Sequence, residues 1–231
     1  MHQLVREFLE ALISPFLWMK VKAIEAFFNL KIKRLYYNEV FFKRVDRTYL
    51  KAYKTINPYA ISLSYLKSIK AEDVYSYGET PLFVFHTMFS NWLIDSQAVF
   101  VDLGCGGGRG LFFGACFFDA KFVGIERIPL FVKKAKTLAK TFSIRHLSFL
   151  EGDYFKLNLS FGDVFYYFCL RSSDSEIKKM CEKFIKECKT TSKWITVSFP
   201  LSDLDERFIV LGKQEGVFVW GRTFLYLNGI K

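Results

Sequence analysis

The segment Val101-Asp102-Leu103-Gly104-Cys105-Gly106-Gly107-Gly108 is where this sequence is best equipped to do chemistry. Glycines let a backbone turn sharply and approach a ligand with no Cβ in the way. The pattern is not that of a nicotinamide site, which needs G-x-G-x-x-G: counted from Gly104 the sixth residue is Arg109, and from Gly106 it is Leu111. Nor is it a phosphate P-loop, because no Gly-Lys-Ser/Thr follows. Carboxylates recur at related places. Asp102 lies in the strand entering the loop, Glu126 ends the next apolar run 20 residues past Gly106, and Asp153 follows the third in Glu151-Gly152-Asp153-Tyr154. An acid at the end of the second strand can accept the two hydroxyls of a ribose, as in dinucleotide sites. Upstream, Tyr77-Gly78-Glu79-Thr80-Pro81 supplies a further turn rich in polar groups.

The D-L-G-x-G-x-G pattern of Asp102, Leu103, Gly104, Gly106 and Gly108 resembles the first motif of class I S-adenosylmethionine-dependent methyltransferases. The resemblance implies S-adenosylmethionine as cofactor. Asp102 would meet its ammonium directly or through water, Glu126 its ribose, and Asp153 its adenine amino group. Tyr77-Gly78-Glu79-Thr80 is similar to the cofactor loop of the non-SET histone-lysine methyltransferases, the disruptor-of-telomeric-silencing type. By that likeness Glu79 and Thr80 close over the methionine end. The set the resemblance implies is therefore Tyr77, Gly78, Glu79, Thr80, Asp102, Gly104, Cys105, Gly106, Gly108, Glu126, Asp153 and Tyr154.

The likeness covers roughly residues 75–170 and thins on the substrate side. Phe165-Tyr166-Tyr167-Phe168-Cys169-Leu170 stands where those enzymes carry V-N-N-F-A-F. It also replaces the N-P-P-Y of base amino-methylating enzymes. The chain equally resembles short lysine methyltransferases of the ATP-synthase-subunit type in size and in its basic, apolar N-terminus. A lysine amine must be neutral to react, and an apolar pocket favours that form. Tyr166, Tyr167 and Phe168 are the pocket candidates, although successive strand side chains point to opposite faces. No general base is assigned. The expectation is methylation of a protein lysine. The alternatives are an RNA or small-molecule methyltransferase, or a non-catalytic binding protein that keeps the fold.

Helices and strands must hold these residues in place, and their order is legible in the sequence. Residues 1–70 are helical, with Ser14-Pro15 opening one helix and Asn57-Pro58 marking a boundary. Leu17, Val21, Ile24 and Phe28 recur at helical spacing. From about residue 82, strands and helices alternate. Strands are expected at 100–103, 121–126, 147–150, 163–170 and 194–199, with two more within 208–227. Helices are expected at 111–118, from Pro129, and after Ser173. Ser173 and Glu176 form a capping-box pattern there. The alternation implies a parallel, Rossmann-like α/β sheet with helices on both faces. Ligands bind such sheets at the carboxyl ends of the strands. The division expected is a basic helical extension at 1–70 and a methyltransferase domain at 71–231.

Composition narrows the class. Of 231 residues 51% are apolar and 24% charged, which excludes a disordered chain. The formal charge is +10, and residues 1–70 hold 13 Lys and Arg against 5 Asp and Glu, a net of +8. That segment suits an acidic protein, RNA or an anionic membrane surface. It is expected to pack beside the cofactor site and wall the substrate, rather than to act as a separate anchor. Residues 8–30 contain Glu10, Lys20, Lys22 and Glu25, which argues against a spanning helix, and no cleavable signal pattern is found. Five unpatterned cysteines suggest a reducing, cytoplasmic setting, and the three histidines show no metal-ligand spacing.

Overall fold

The computed structural model describes residues 15–71, 73–92, 96–168 and 172–231. Helix α1 (Pro15–Tyr36) starts at a proline, whose fixed φ and missing N–H suit the first turn. Its Val21, Phe28 and Ile32 are buried; Leu17 lies among residues whose side chains are outside the description. Helix α2 (Val40–Ala52) is strongly amphipathic and buries Phe42, Val45, Asp46 and Tyr49. Helix α3 (Pro58–Ser68) is capped by Asn57, whose side chain accepts from the Ala60 N–H at 2.8 Å. Helix α4 (Leu82–Trp92) precedes the first strand.

The sheet and its helices follow in the order β1 (Val99–Leu103), α5 (Arg109–Phe117), β2 (Lys121–Glu126), α6 (Pro129–Thr141), β3 (Leu147–Glu151), β4 (Val164–Tyr167), α7 (Asp174–Glu187), β5 (Lys193–Val197), β6 (Phe208–Phe218) and β7 (Gly221–Ile230). The capping box at Ser173 and Glu176 is formed as its spacing predicts. The strands lie in the order β3-β2-β1-β4-β5-β7-β6.

The sheet is not wholly parallel, as the alternation had implied. β7 pairs antiparallel with β5, and β6 antiparallel with β7. A two-residue connection, Val219-Trp220, forces that reversal, since a parallel pairing needs a long crossover. β4 is also shorter than the expected 163–170; Cys169 and Leu170 lie outside the described residues.

The chain runs outward from β1 to β3 and then returns to β4 on the other side of β1. The crevice between β1 and β4 is therefore the topological switch point, where open α/β sheets bind ligands. One sheet face presents Phe100, Phe122 and Tyr166 to a large aromatic core shared with α2, α4, α5 and α6. The other presents Val101, Leu103, Phe165, Tyr167 and Trp194 to α7. Phe42, Val45, Tyr49, Tyr53 and Ile61 belong to the first core, so α2 and α3 share its packing.

Candidate cofactor site

The site is built at the carboxyl ends of β1 and β2. Gly104, Gly106 and Gly108 take positive φ of 82°, 54° and 76°, which only glycine adopts at low cost and which folds the loop back toward α5. Gly104 and Cys105 donate their N–H groups to the Ile125 carbonyl at 2.8 and 3.1 Å, locking the loop onto β2. Glu126 completes the lock. Its Oε2 accepts from the Gly106 N–H and its Oε1 from the Ile128 N–H, each at 2.8 Å. The Arg127 N–H also faces this carboxylate, which leaves one of its four lone-pair sites for a ligand hydroxyl.

Burial pushes the Glu126 carboxyl up, against the pull of those N–H donors. It pushes Asp102 up to about 8, aided by the nearby Glu126 charge. Asp102 is 6% exposed and meets no hydrogen-bond donor among the described residues. Two buried acids side by side favour a cationic, hydroxyl-bearing ligand and disfavour a pyrophosphate. The arrangement thus fits an adenosyl amino acid, with its ammonium and ribose diol, better than a dinucleotide.

The upstream loop covers the glycines. A Cβ at Gly106 would stand 2.9 Å from Tyr77 Cε2, so that ring lies directly over the loop. Tyr77 stacks on Phe131 at 5.4 Å, meets Tyr59 edge-on at 5.1 Å, and donates its hydroxyl to Glu79 Oε1 at 2.8 Å. Burial raises the Glu79 pKa, while the Arg109 charge and the Tyr77 hydroxyl oppose the rise. Thr80 Oγ1 and Tyr166 Oη share a hydrogen bond of 2.6 Å, which ties the loop to β4.

The remaining expected residues separate. Asp153 Oδ1 accepts from the Phe155 N–H at 2.9 Å, so the acid shapes its own turn after β3. The Tyr154 ring passes close to Gly104, with Cε1 3.8 Å from the Cβ position there. Cys105 Sγ points to Gly124, standing 2.5 Å from its Cβ position, and burial pushes the thiol up. Its contribution to the loop is therefore backbone, not a nucleophilic sulfur.

One pocket formed by Tyr166, Tyr167 and Phe168 together is corrected by the structure. Register pairs Asp102 with Tyr166 and Leu103 with Tyr167, which puts the two tyrosines on opposite sheet faces. Tyr167 faces Phe184 on α7, whereas Tyr166 faces Phe85 on α4. Phe168 stays on the Tyr166 side, with ring centroids 6.5 Å apart, and also meets Phe218 and Trp220 of the β6–β7 turn at 6.3 and 5.8 Å.

Several residues of the site escaped sequence reasoning. Arg109, the first residue of α5, binds Asp46 of α2 through Nε–Oδ1 at 2.8 Å and Nη2–Oδ2 at 3.2 Å. Its Nη1 reaches Asn29 Oδ1 at 3.1 Å. The Tyr37 hydroxyl donates to the same Asp46 at 2.7 Å. Tyr49 and Tyr53 bring their hydroxyls against Gly107, 2.4 and 2.8 Å from its Cβ position. The signal was present in α2, where Asp46 interrupts the apolar stripe Phe42, Val45, Tyr49. No metal-binding group of His, Cys, Asp or Glu is found among the described residues.

Residues 94–207 match the family model described as a methyltransferase domain. The fold is similar to that of an RNA methyltransferase from Salinibacter ruber solved with S-adenosyl-L-homocysteine. That match has 25% identity and a TM-score of 0.52, over 66% of this chain and 94% of that one. It is also similar to the mitomycin 7-O-methyltransferase MmcR, with 16% identity and a TM-score of 0.56 over 74% and 61% of the two chains. A third is the tRNA methyltransferase TrmK of B. subtilis, with 13% identity and a TM-score of 0.52 over 64% and 65%. Less than two thirds of each of these last two is spanned. Among curated proteins none matches the chain. Residues 94–207 thus match a methyltransferase domain, and the chain has the Rossmann-like fold of class I methyltransferases.

Proposed function

We propose that this protein transfers a methyl group from S-adenosylmethionine to the amine of a protein lysine. Bound S-adenosylmethionine supplies a methyl group on a strongly electrophilic sulfonium. Asp102 and Glu126 would hold its ammonium and ribose, and the Tyr77 ring would keep water from the glycine loop. One observation carries the choice of an amine. At the carboxyl end of β4, Phe168 meets Phe218 and Trp220, which stack on each other at 4.7 Å and 18°. The Cβ position of Gly78 lies 3.6 Å from Phe168, so this aromatic wall adjoins the loop that covers the site. Apolar walls lower an amine's pKa and so favour the neutral nucleophile. Aromatic faces attract the methylammonium that forms.

RNA is the second reading. It is favoured by the net charge of +10 and by the likeness to the Salinibacter ruber RNA methyltransferase. The test is incubation with methyl-labelled cofactor and a cell lysate, followed by protease or nuclease. Label released by protease and recovered as methyl-lysine is the expected result. Label released by nuclease would replace the lysine reading with the RNA one. Cofactor binding without any transfer would leave a binding protein.

A further inference from the structure

Tyr53, the residue that ends α2, lies outside the matched methyltransferase region, yet its hydroxyl is aimed at the glycine loop. It is 7% exposed, and Oη is buried with no hydrogen-bond partner. A buried hydroxyl left unpaired is costly, so such a group usually has a partner not yet counted. Oη stands 2.8 Å from the Cβ position of Gly107, one residue before Gly108 caps α5. Glu79, Cys105 and Glu126 are its electrostatic neighbours. Burial and those neighbours hold the phenol far above its ordinary pKa, so at neutral pH it can act as a donor.

We propose that Tyr53 Oη donates a hydrogen bond to the carboxylate of the cofactor's amino-acid end. The inference rests on the reading of the glycine loop as an S-adenosylmethionine site. Within that site Asp102 suits the ammonium and Glu126 the ribose, which leaves the carboxylate without a partner. It is the only anionic group of the ligand, and the N-terminus of α5 is where an anion is favoured. The neutral phenol of Tyr53 stands at that end, beside Gly107, while the Arg109 guanidinium is already committed to Asp46. Tyr53 is held there from outside the sheet. Lys134 Nζ donates to the Ala52 carbonyl at 2.7 Å and lies 5.2 Å from the Tyr53 ring centroid. The Asp46–Arg109 pair fixes the same helix to the loop.

The experiment is calorimetric titration of the full chain and of Tyr53→Phe with S-adenosylmethionine and with its decarboxylated analogue. The wild-type protein should prefer the carboxylated ligand. Tyr53→Phe should weaken that ligand by about tenfold, the scale of one hydrogen bond to a charged group, and leave the analogue unchanged. Thermal melting of unliganded Tyr53→Phe should be no lower than wild type, since the variant removes an unpaired oxygen. Equal losses on both ligands, no loss on either, or a lowered melting point without ligand would overturn the proposal. So would a wild type that binds the two ligands equally well, a result obtained without any variant and one that leaves the glycine-loop reading standing. A wild type that binds neither ligand would remove that reading and this inference with it.

Discussion

At the scale of single residues, the site depends on two acids kept out of water. Glu126 holds Gly106 and Ile128 by their N–H groups, faces the Arg127 N–H, and keeps one lone-pair site for a ligand. Glu126→Ala is expected to weaken S-adenosylhomocysteine binding by about 1–3 kcal/mol, the cost of lost charge-assisted hydrogen bonds. Calorimetry would read it, and an unchanged affinity would remove Glu126 from the site. Asp102 carries a pH signature. Its folded pKa is raised to about 8 from an ordinary 3.8, so between those values the folded protein binds a proton that the unfolded chain has released. Stability without ligand should therefore fall as pH rises from 4 toward 8 and level off above it. A cationic ligand reverses the bias toward the ionised acid. At pH 7 binding should release a proton, seen as a binding heat that varies with the buffer's ionisation enthalpy. Asp102→Asn should abolish that variation, and a wild type with none would show Asp102 already ionised or uninvolved.

At the scale of elements, local signals were legible and long-range pairings were not. The positive φ of Gly104, Gly106 and Gly108, the proline starts of α1, α3 and α6, and the box at Ser173 are written in neighbouring residues. The direction of β7 is not, because a strand's side-chain pattern is the same whichever way it runs. Nor does the pattern say which of Tyr166 and Tyr167 faces α4; the pairing with Asp102 and Leu103 decides it. The Asp46–Arg109 contact spans 63 residues, and only the odd acid in an apolar stripe hinted at it. That pair is buried, with the two side chains 1% and 15% exposed. Asp46→Ala would strand a guanidinium away from water and should destabilise the fold by about 3–5 kcal/mol. Denaturant unfolding would measure this, and a loss below 1 kcal/mol, on the scale of an exposed pair, would show that water reaches the site.

At the scale of the whole molecule, the described part of the basic N-terminal segment, from residue 15 on, is packed into the same core as the sheet. Ile32, Phe42, Val45, Tyr49 and Tyr53 are buried there, and α2 supplies the roof of Gly107. Among the described residues no helix is long and apolar enough to cross a membrane. Deletion of residues 1–55 should therefore abolish cofactor binding and lower the melting temperature. A truncated chain that keeps both, and loses only vesicle binding, would make the segment an independent anchor. The central claim is that the glycine loop with its flanking acids holds S-adenosylmethionine. The most direct measurement is titration of the full chain and of Gly106→Val with S-adenosylhomocysteine, with folding checked by circular dichroism. The branched side chain would sit at a φ of 54° and put its Cβ 2.9 Å from the Tyr77 ring. The expected result is one ligand bound per wild-type chain and none by the folded variant. No binding by the wild type, or equal binding by a folded Gly106→Val, would contradict it.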